Sequence, residues 1–361
     1  MKFIRGPHDI FKYTASLILF ISFFVFAFLS IYPLTRNLPE EGQATSPPKV
    51  LSQSLPKAKL SAWIPIWGEE EGLKSFEKNK SYLSSISPFW FALSLDGKIE
   101  ELNSERKAQI INVATSSAIP IIPVLGDELD EARVFKFLSN RKLQEEESEK
   151  LVKVLYERRF LGINVSFEHI PQGDQADFVN FLSILADKLH KKDLILAVTV
   201  YALRGLPDEP NVHDIAAIGK IADQVRLETY DEHDTETHPG PIASSKFLKE
   251  VIIFTQERVP SEKIVVALPT HGFEWWKEGG ETLQFPQVEP LIKRFPERFT
   301  KDPSSFELVG KYRYQGLEHE LWINNSESLK EKIEFLRGLG INQFSLWRLG
   351  GEDPNFWDSI P

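Results

Sequence analysis

Short, strongly apolar runs recur along this chain, with amphipathic stretches between them. The runs fall at Ala62–Trp67, Pro88–Ser94, Ile119–Leu125, Gly162–Phe167, Leu194–Val200, Gln224–Thr229, Ile264–Leu268 and Gln343–Trp347. Several are nearly continuous in Ile, Val, Leu or Phe, as suits parallel strands covered on both faces. Arg106–Ser116, Glu147–Arg158, Ala176–Leu189, Val212–Ile221, Ser244–Glu257 and Ser328–Leu339 repeat their apolar residues at helical spacing. Asp174 and Ser244 stand where N-caps belong, and Gly340 where a helix stops. Strands alternating with helices in this way predict an α/β fold, a (β/α)8 TIM barrel, over residues 58–361.

Two segments break the alternation. Between the seventh and eighth strand candidates, residues 270–327 are too many for a simple connection. There Phe306–Tyr314 and Glu318–Ile323 flank Gln315-Gly316-Leu317 as the arms of a hairpin. The pattern predicts an α+β insertion on the loop face, forming a wall of a cleft. At the front, residues 14–33 carry no charge and consist mainly of Leu, Ile, Phe and Val. About 20 apolar residues suffice to span a bilayer as a helix. Lys2, Arg5 and Lys12 precede the run, and Glu40 and Glu41 come after it. That bias predicts a single-pass signal anchor in a cell membrane, with residues 1–13 cytoplasmic and the barrel outside. A cleaved signal peptide is the rival, but its apolar region is usually about 7 to 15 residues long. Residues 34–57, rich in Pro, Ser, Glu and Gln, read as a flexible linker.

Composition narrows the function. The net charge of −10 argues against nucleic acid as a partner. The chain has no cysteine, so neither disulfides nor thiolate metal sites can hold the fold. The acidic runs Glu69–Glu71 and Glu145–Glu147 read as solvated faces. The cluster Glu232-His233-Asp234 with His238 looks superficially like a metal site. It sits in a loop, without the paired histidines of a metalloprotease helix, so no metal and no cofactor is expected. Eight tryptophans in such a chain suggest aromatic faces that hold sugars.

The chemistry concentrates in Gly162-Ile-Asn-Val-Ser-Phe-Glu168. In a strand, alternate side chains share a face, so Asn164, Ser166 and Glu168 project together. An acid at the carboxyl end of a buried strand is costly without work or a partner. In a parallel barrel that end is where active sites sit.

Three stretches taken together resemble glycoside hydrolase family 18, which includes chitinases and spore-cortex N-acetylglucosaminidases. Gly162 to Glu168 lies where the family has its D-G-x-D-x-D-x-E motif. Thr229-Tyr230-Asp231-Glu232-His233 resembles the Tyr-Asp segment after the sixth strand. Leu346-Trp347-Arg348-Leu349-Gly350-Gly351 resembles the eighth-strand tryptophan and the segment after it. The resemblance covers about Ala62 to Trp357 and implies a substrate-assisted glycosidase, an exception to the usual paired-carboxylate scheme. It implies that Glu168 protonates the leaving oxygen while the substrate's own acetamido oxygen attacks the anomeric carbon. Tyr230, accompanied by Asp231, would hold the acetamide, and Trp347 would floor the sugar pocket. Trp275 or Trp276 would stack on a sugar, with Trp67 and Trp90 as further candidates.

The sequence departs from the motif at one kind of position. Leu161, Asn164 and Ser166 stand where the pattern has aspartates, and a serine cannot supply the charge that stabilises an oxazolinium ion. Two expectations remain open: a hydrolase acting on N-acetylglucosamine-containing glycans (peptidoglycan, chitin-like chains or exopolysaccharide), and a tethered glycan-binding protein without turnover.

Overall fold

A computed structural model describes residues 58–207, 209 and 212–360. The expected cytoplasmic segment, anchor and linker over residues 1–57 lie outside the described residues. Among the described residues no helix is long and apolar enough to cross a membrane.

The strands in chain order are β1 (Lys59–Ile64), β2 (Leu83–Leu93), β3 (Ile99–Glu101), β4 (Val124–Gly126), β5 (Gly162–Ser166), β6 (Ile195–Tyr201), β7 (Gln224–Glu228) and β8 (Ile264–Pro269). They continue as β9 (His271–Trp276), β10 (Gly279–Gln284), β11 (Phe299–Lys301), β12 (Leu308–Tyr314), β13 (Leu317–Ile323) and β14 (Gln343–Trp347). Parallel pairing runs β1, β2, β4, β5, β6, β7, β8, β14 and back to β1, so the sheet closes on itself. This is the expected eight-stranded barrel.

The helices are α1 (Glu69–Asn79), α2 (Lys107–Ser116), α3 (Glu131–Leu138), α4 (Arg141–Glu157), α5 (Gln175–His190), α6 (Ile215–Ile221), α7 (Ser245–Gln256), α8 (Phe285–Arg294) and α9 (Ser326–Gly338). Outward-facing strand residues such as Ile64, Val165, Leu227 and Leu346 pack with Phe181, Leu248 and Leu336 of the helices in one continuous core. Ser244 caps α7 by accepting the Phe247 N–H at 3.1 Å. Asp174 occupies the N-cap position of α5, but its side chain makes no cap bond. Gly340 follows α9 at φ +88°, a backbone geometry that favours glycine.

The barrel interior is polar. Ser61, Ser87, Asn164, Thr199, Arg226 and Ser345 are all buried there. Asn164 Nδ2 donates to Thr199 Oγ1 at 3.0 Å. Arg226 donates to Ser87 Oγ at 2.7 Å, and its guanidinium lies 5.5 Å from the Trp63 ring centroid. Burial pulls the Arg226 pKa down to about 9.

The insertion is larger in strand content than the sequence pattern indicated. β9 to β13 form a separate antiparallel sheet in the order β10, β9, β13, β12, β11, with α8 packed on it. The expected hairpin is present as β12 and β13. The sequence pattern marks neither β9 nor β10 as a strand, because β9 alternates only over Phe273-Glu274-Trp275 and β10 carries a single large apolar residue, Leu283.

The acidic runs also differ from expectation. Glu69 is buried at the start of α1, accepting from the Ser104 hydroxyl and from the Arg106 N–H at 3.3 Å. Glu147 is buried in α4, accepting the Ile99 N–H at 3.1 Å and pairing with Lys150 at 2.7 Å. A run of like charges on a helix spans more than one face, so one member can turn inward while the others stay in water.

Candidate active site

The carboxyl ends of the barrel strands surround a cavity of about 640 Å³. Glu168 lines it from just beyond β5, Ser166 from the last position of β5, Tyr230 and Asp231 from beyond β7, and Trp347 from the end of β14. Four of the five candidates after strands four and six, together with the eighth-strand tryptophan, therefore share one hollow. The fifth, Asn164, does not reach it. It sits buried one pleat below, bonded to Thr199.

The floor is aromatic. Tyr230 and Trp347 lie nearly parallel, ring centroids 6.5 Å apart at 18°. Trp63 and Phe89 approach Trp347 edge-on at 5.9 and 5.6 Å. Trp67, 70% exposed, stands at 6.4 Å from Trp347 at the edge of this aromatic group and lines an adjoining hollow of about 400 Å³ that shares Trp347 and Asp231. Offset and edge-on contacts of this kind fix ring orientation while leaving one face open.

The other tryptophans lie elsewhere. Trp90 points away from the barrel axis into the helix layer, fully buried at 5.7 Å from Phe160, so the suggestion that it touches substrate is corrected. It occupies the pleat opposite to that of Phe89, and the strand alternation sends it outward. Trp275 and Trp276 belong to β9 and line a second hollow of about 490 Å³ on the insertion. Trp275 is itself buried and donates to the Asp234 carbonyl at 2.8 Å.

Two acids that sequence reasoning missed complete the site. Asp127 follows β4 and is buried; its Oδ2 accepts the backbone N–H of Glu168 at 2.8 Å and of His169 at 2.6 Å. Glu228, the last residue of β7, lines the cavity and accepts a hydrogen bond from the Tyr230 hydroxyl at 3.0 Å. Both stood in view as acids at the carboxyl ends of strand candidates. Glu228 even continues a polar row, Gln224-Arg226-Glu228, like the one that marked Glu168.

These acids set the electrostatics. Burial first, and then the Asp127 charge, push Glu168 up to about 7, against a smaller opposing pull from His169. Burial and the Glu168 charge push Glu228 well above the ordinary range, while the Tyr230 hydrogen bond opposes them. The Tyr230 hydroxyl is also raised, chiefly by burial, and stays protonated. A carboxyl near 7 is suited to proton transfer in both directions at neutral pH.

The loop after β7 is anchored by its own side chains and by Glu307. Asp231 takes φ +57° and accepts from His271 Nε2 at 3.0 Å. Glu232 accepts the Ser244 N–H at 2.7 Å, and His233 Nδ1 lies 2.9 Å from the Pro241 carbonyl. Glu307, just before β12, accepts the Ile242 and Ala243 N–H groups at 2.9 and 3.0 Å. Lys332 of α9 pairs with it at 2.5 Å, both side chains fully buried. Among the described residues no group of three or more His, Asp or Glu is arranged to hold a metal ion.

An acid and a hydrogen-bonding phenol thus stand over an indole floor at the carboxyl ends of a (β/α)8 barrel. The chain belongs to the glycosyl hydrolases family 18, whose family model matches residues 20–352. It is 26% identical over 314 residues to the uncharacterized glycosylase YvbX of Bacillus subtilis (strain 168), covering 81% of this chain and 88% of that protein. The crystal structure of a chitinase from Chromobacterium violaceum ATCC 12472 superposes with a TM-score of 0.76 at 26% identity, covering 84% of this chain and 98% of that one. The Bacillus cereus spore cortex-lytic enzyme SleL shares the fold with a TM-score of 0.77 at 20% identity, over 84% of this chain and 74% of that one.

Proposed function

We propose that this chain is a membrane-tethered hydrolase that cuts glycans beside N-acetylglucosamine units. The observation that carries this reading is Glu168, half-buried with its pKa near 7, in one cavity with Tyr230 and Trp347. Glu168 would hand its proton to the leaving oxygen as the substrate's acetamido oxygen closes on the anomeric carbon, and would then take a proton from the incoming water. Trp347 would floor the reacting sugar and Trp67 guide the chain at the rim. Chitin-like chains and peptidoglycan are the polymers to try first, because one similar protein is a chitinase and another a spore cortex-lytic enzyme.

The test is release of reducing ends from N-acetylglucosamine oligomers and from peptidoglycan by the detergent-solubilised full chain. Glu168→Gln should abolish it. Ser166 supports a second reading, a barrel that holds glycan without cleaving it. Oligosaccharide binding with no turnover in either protein would favour that reading and overturn the first.

Residues 14–33 support an anchor that leaves the barrel outside the membrane. In bacterial cells making the chain, external protease should then degrade the barrel, and alkaline carbonate should leave the protein in the membrane fraction. A chain released by carbonate would remove the anchor from the account.

A further inference from the structure

The barrel layers show where a second carboxylate has gone. Asn164 of β5 is bonded to Thr199 of β6, and Thr199 is in register with Arg226 of β7. Two residues further along each strand, on the same face, come Ser166, Tyr201 and Glu228. Tyr201 and Glu228 are again in register, and Tyr201 donates to the Glu168 carbonyl at 3.2 Å. Backbone register pairs Asn164 with Ala197, so Ser166 is not level with Glu228; the two stand two strands apart at the carboxyl ends of their strands, and both line the cavity with Glu168.

Among the described residues, the half-buried Glu228 carboxyl ties no other element of the fold in place. Its hydrogen bond comes from Tyr230, which faces the same cavity, and the charges that bear on it are those of Glu168, Asp231 and Asp127. A half-buried acid whose charged neighbours are acids is a cost to the fold unless something cationic arrives.

We propose that Glu228 supplies, from the sixth barrel strand, the carboxylate that Ser166 does not supply from the fourth: it accepts the N–H of the reacting sugar's acetamido group and neutralises the positive charge that develops there. This rests on the hydrolase reading of the cavity. As the acetamido oxygen bonds to the anomeric carbon, the bond from that carbon to the leaving oxygen breaks and its electron pair takes the Glu168 proton. The nitrogen of the resulting oxazolinium ring carries the positive charge, with its N–H directed at Glu228. Water then adds to the anomeric carbon, Glu168 recovers a proton from it, and the ring opens to restore the acetamide. The Tyr230 hydrogen bond favours the charged form of Glu228 against the burial and the neighbouring charge that oppose it, and a cationic ring beside Glu228 would favour that form further.

The experiment uses the full chain in detergent, with an N-acetylglucosamine thiazoline as a mimic of the ring intermediate. Turnover of N-acetylglucosamine oligomers is measured beside calorimetric binding of the thiazoline and of an oligomer. Glu228→Gln should lower kcat by about 10²–10³. It should weaken thiazoline binding at least about tenfold and leave oligomer binding within about twofold, which also shows that the variant is folded. Ser166→Asp added to Glu228→Gln should recover at least about tenfold of the lost turnover, returning the charge to the fourth strand. Unchanged turnover and unchanged thiazoline binding in Glu228→Gln would overturn the proposal, as would a wild-type chain that binds thiazoline no better than the parent sugar. If the wild-type chain cleaves nothing but its preference for thiazoline disappears in Glu228→Gln, the hydrolase reading fails and the assignment of Glu228 stands.

Discussion

Asp127 holds Glu168 by its backbone and not by its side chain. Its Oδ2 accepts the Glu168 N–H at 2.8 Å, which leaves the glutamate carboxyl free to line the cavity while a negative charge sits beside it. One residue thus positions the acid and raises its pKa.

Asp127→Asn separates those effects. The like charge disappears, so the basic limb of the pH–rate profile should move from about 7 to lower pH. One of the carboxylate's two oxygens becomes an NH2 facing N–H donors, because Oδ1 already accepts from Leu129 at 3.0 Å. The cost should be about 1–3 kcal/mol, read as a lower Tm. A basic limb that stays in place would mean that the Asp127 charge does not reach Glu168.

The raised pKa of Glu168 also makes a stability statement. The folded value is about 7, and an unfolded glutamate titrates near about 4.3. The folded state holds the extra proton between those values, so the contribution of this group to stability is complete below about 4.3 and is lost as pH rises through about 7. Glu168→Gln should therefore be more stable than the parent at pH 8, on the order of 2 kcal/mol after discounting for water at the cavity mouth. Denaturant melts should show the gap closing near pH 4. Equal stability at both pH values would place Glu168 in a more hydrated setting than its surroundings indicate.

Lys332 and Glu307 are both fully buried, and Lys332 also donates to Asn324 Oδ1 at 2.8 Å. Lys332→Met would strand the glutamate, whose other contacts hold the Ile242 and Ala243 N–H groups. A loss of about 3–5 kcal/mol in denaturant unfolding is expected. A loss below about 1 kcal/mol would show that water or a rearranged loop replaces the lysine.

Trp67 is 70% exposed at the rim of the aromatic floor. Trp67→Ala should leave Tm nearly unchanged, within about 0.5 kcal/mol, while weakening glycan binding about tenfold by titration. Unaltered binding would confine recognition to the cavity itself.

The sequence made the barrel legible because continuous apolar strands and periodic helices each declare their partner layer. It also marked Glu168, Tyr230, Asp231, Ser166 and Trp347, which the structure brings around one cavity. Alternation tells which face a residue takes, but not which strand ends converge. Asp127 therefore goes unmarked after a strand of three residues, and Glu228 reads as part of an ordinary strand. Trp90 shows the opposite error: an aromatic next to a strand end reads as part of the cleft, while its pleat faces the helices. Glu69 and Glu147 are recognisable as buried only once the backbone N–H groups they accept from are located.

Only Thr270 separates β8 of the barrel from β9 of the insertion, and that residue is fastened to the neighbouring stave. Its N–H donates to the Trp347 carbonyl at 2.8 Å, and its hydroxyl accepts the Arg348 N–H at 2.8 Å. The side sheet thus continues from the barrel wall through a residue bonded to the stave that carries Trp347. A glycan held as proposed would therefore meet, beside Trp347, a wall that continues the barrel stave itself.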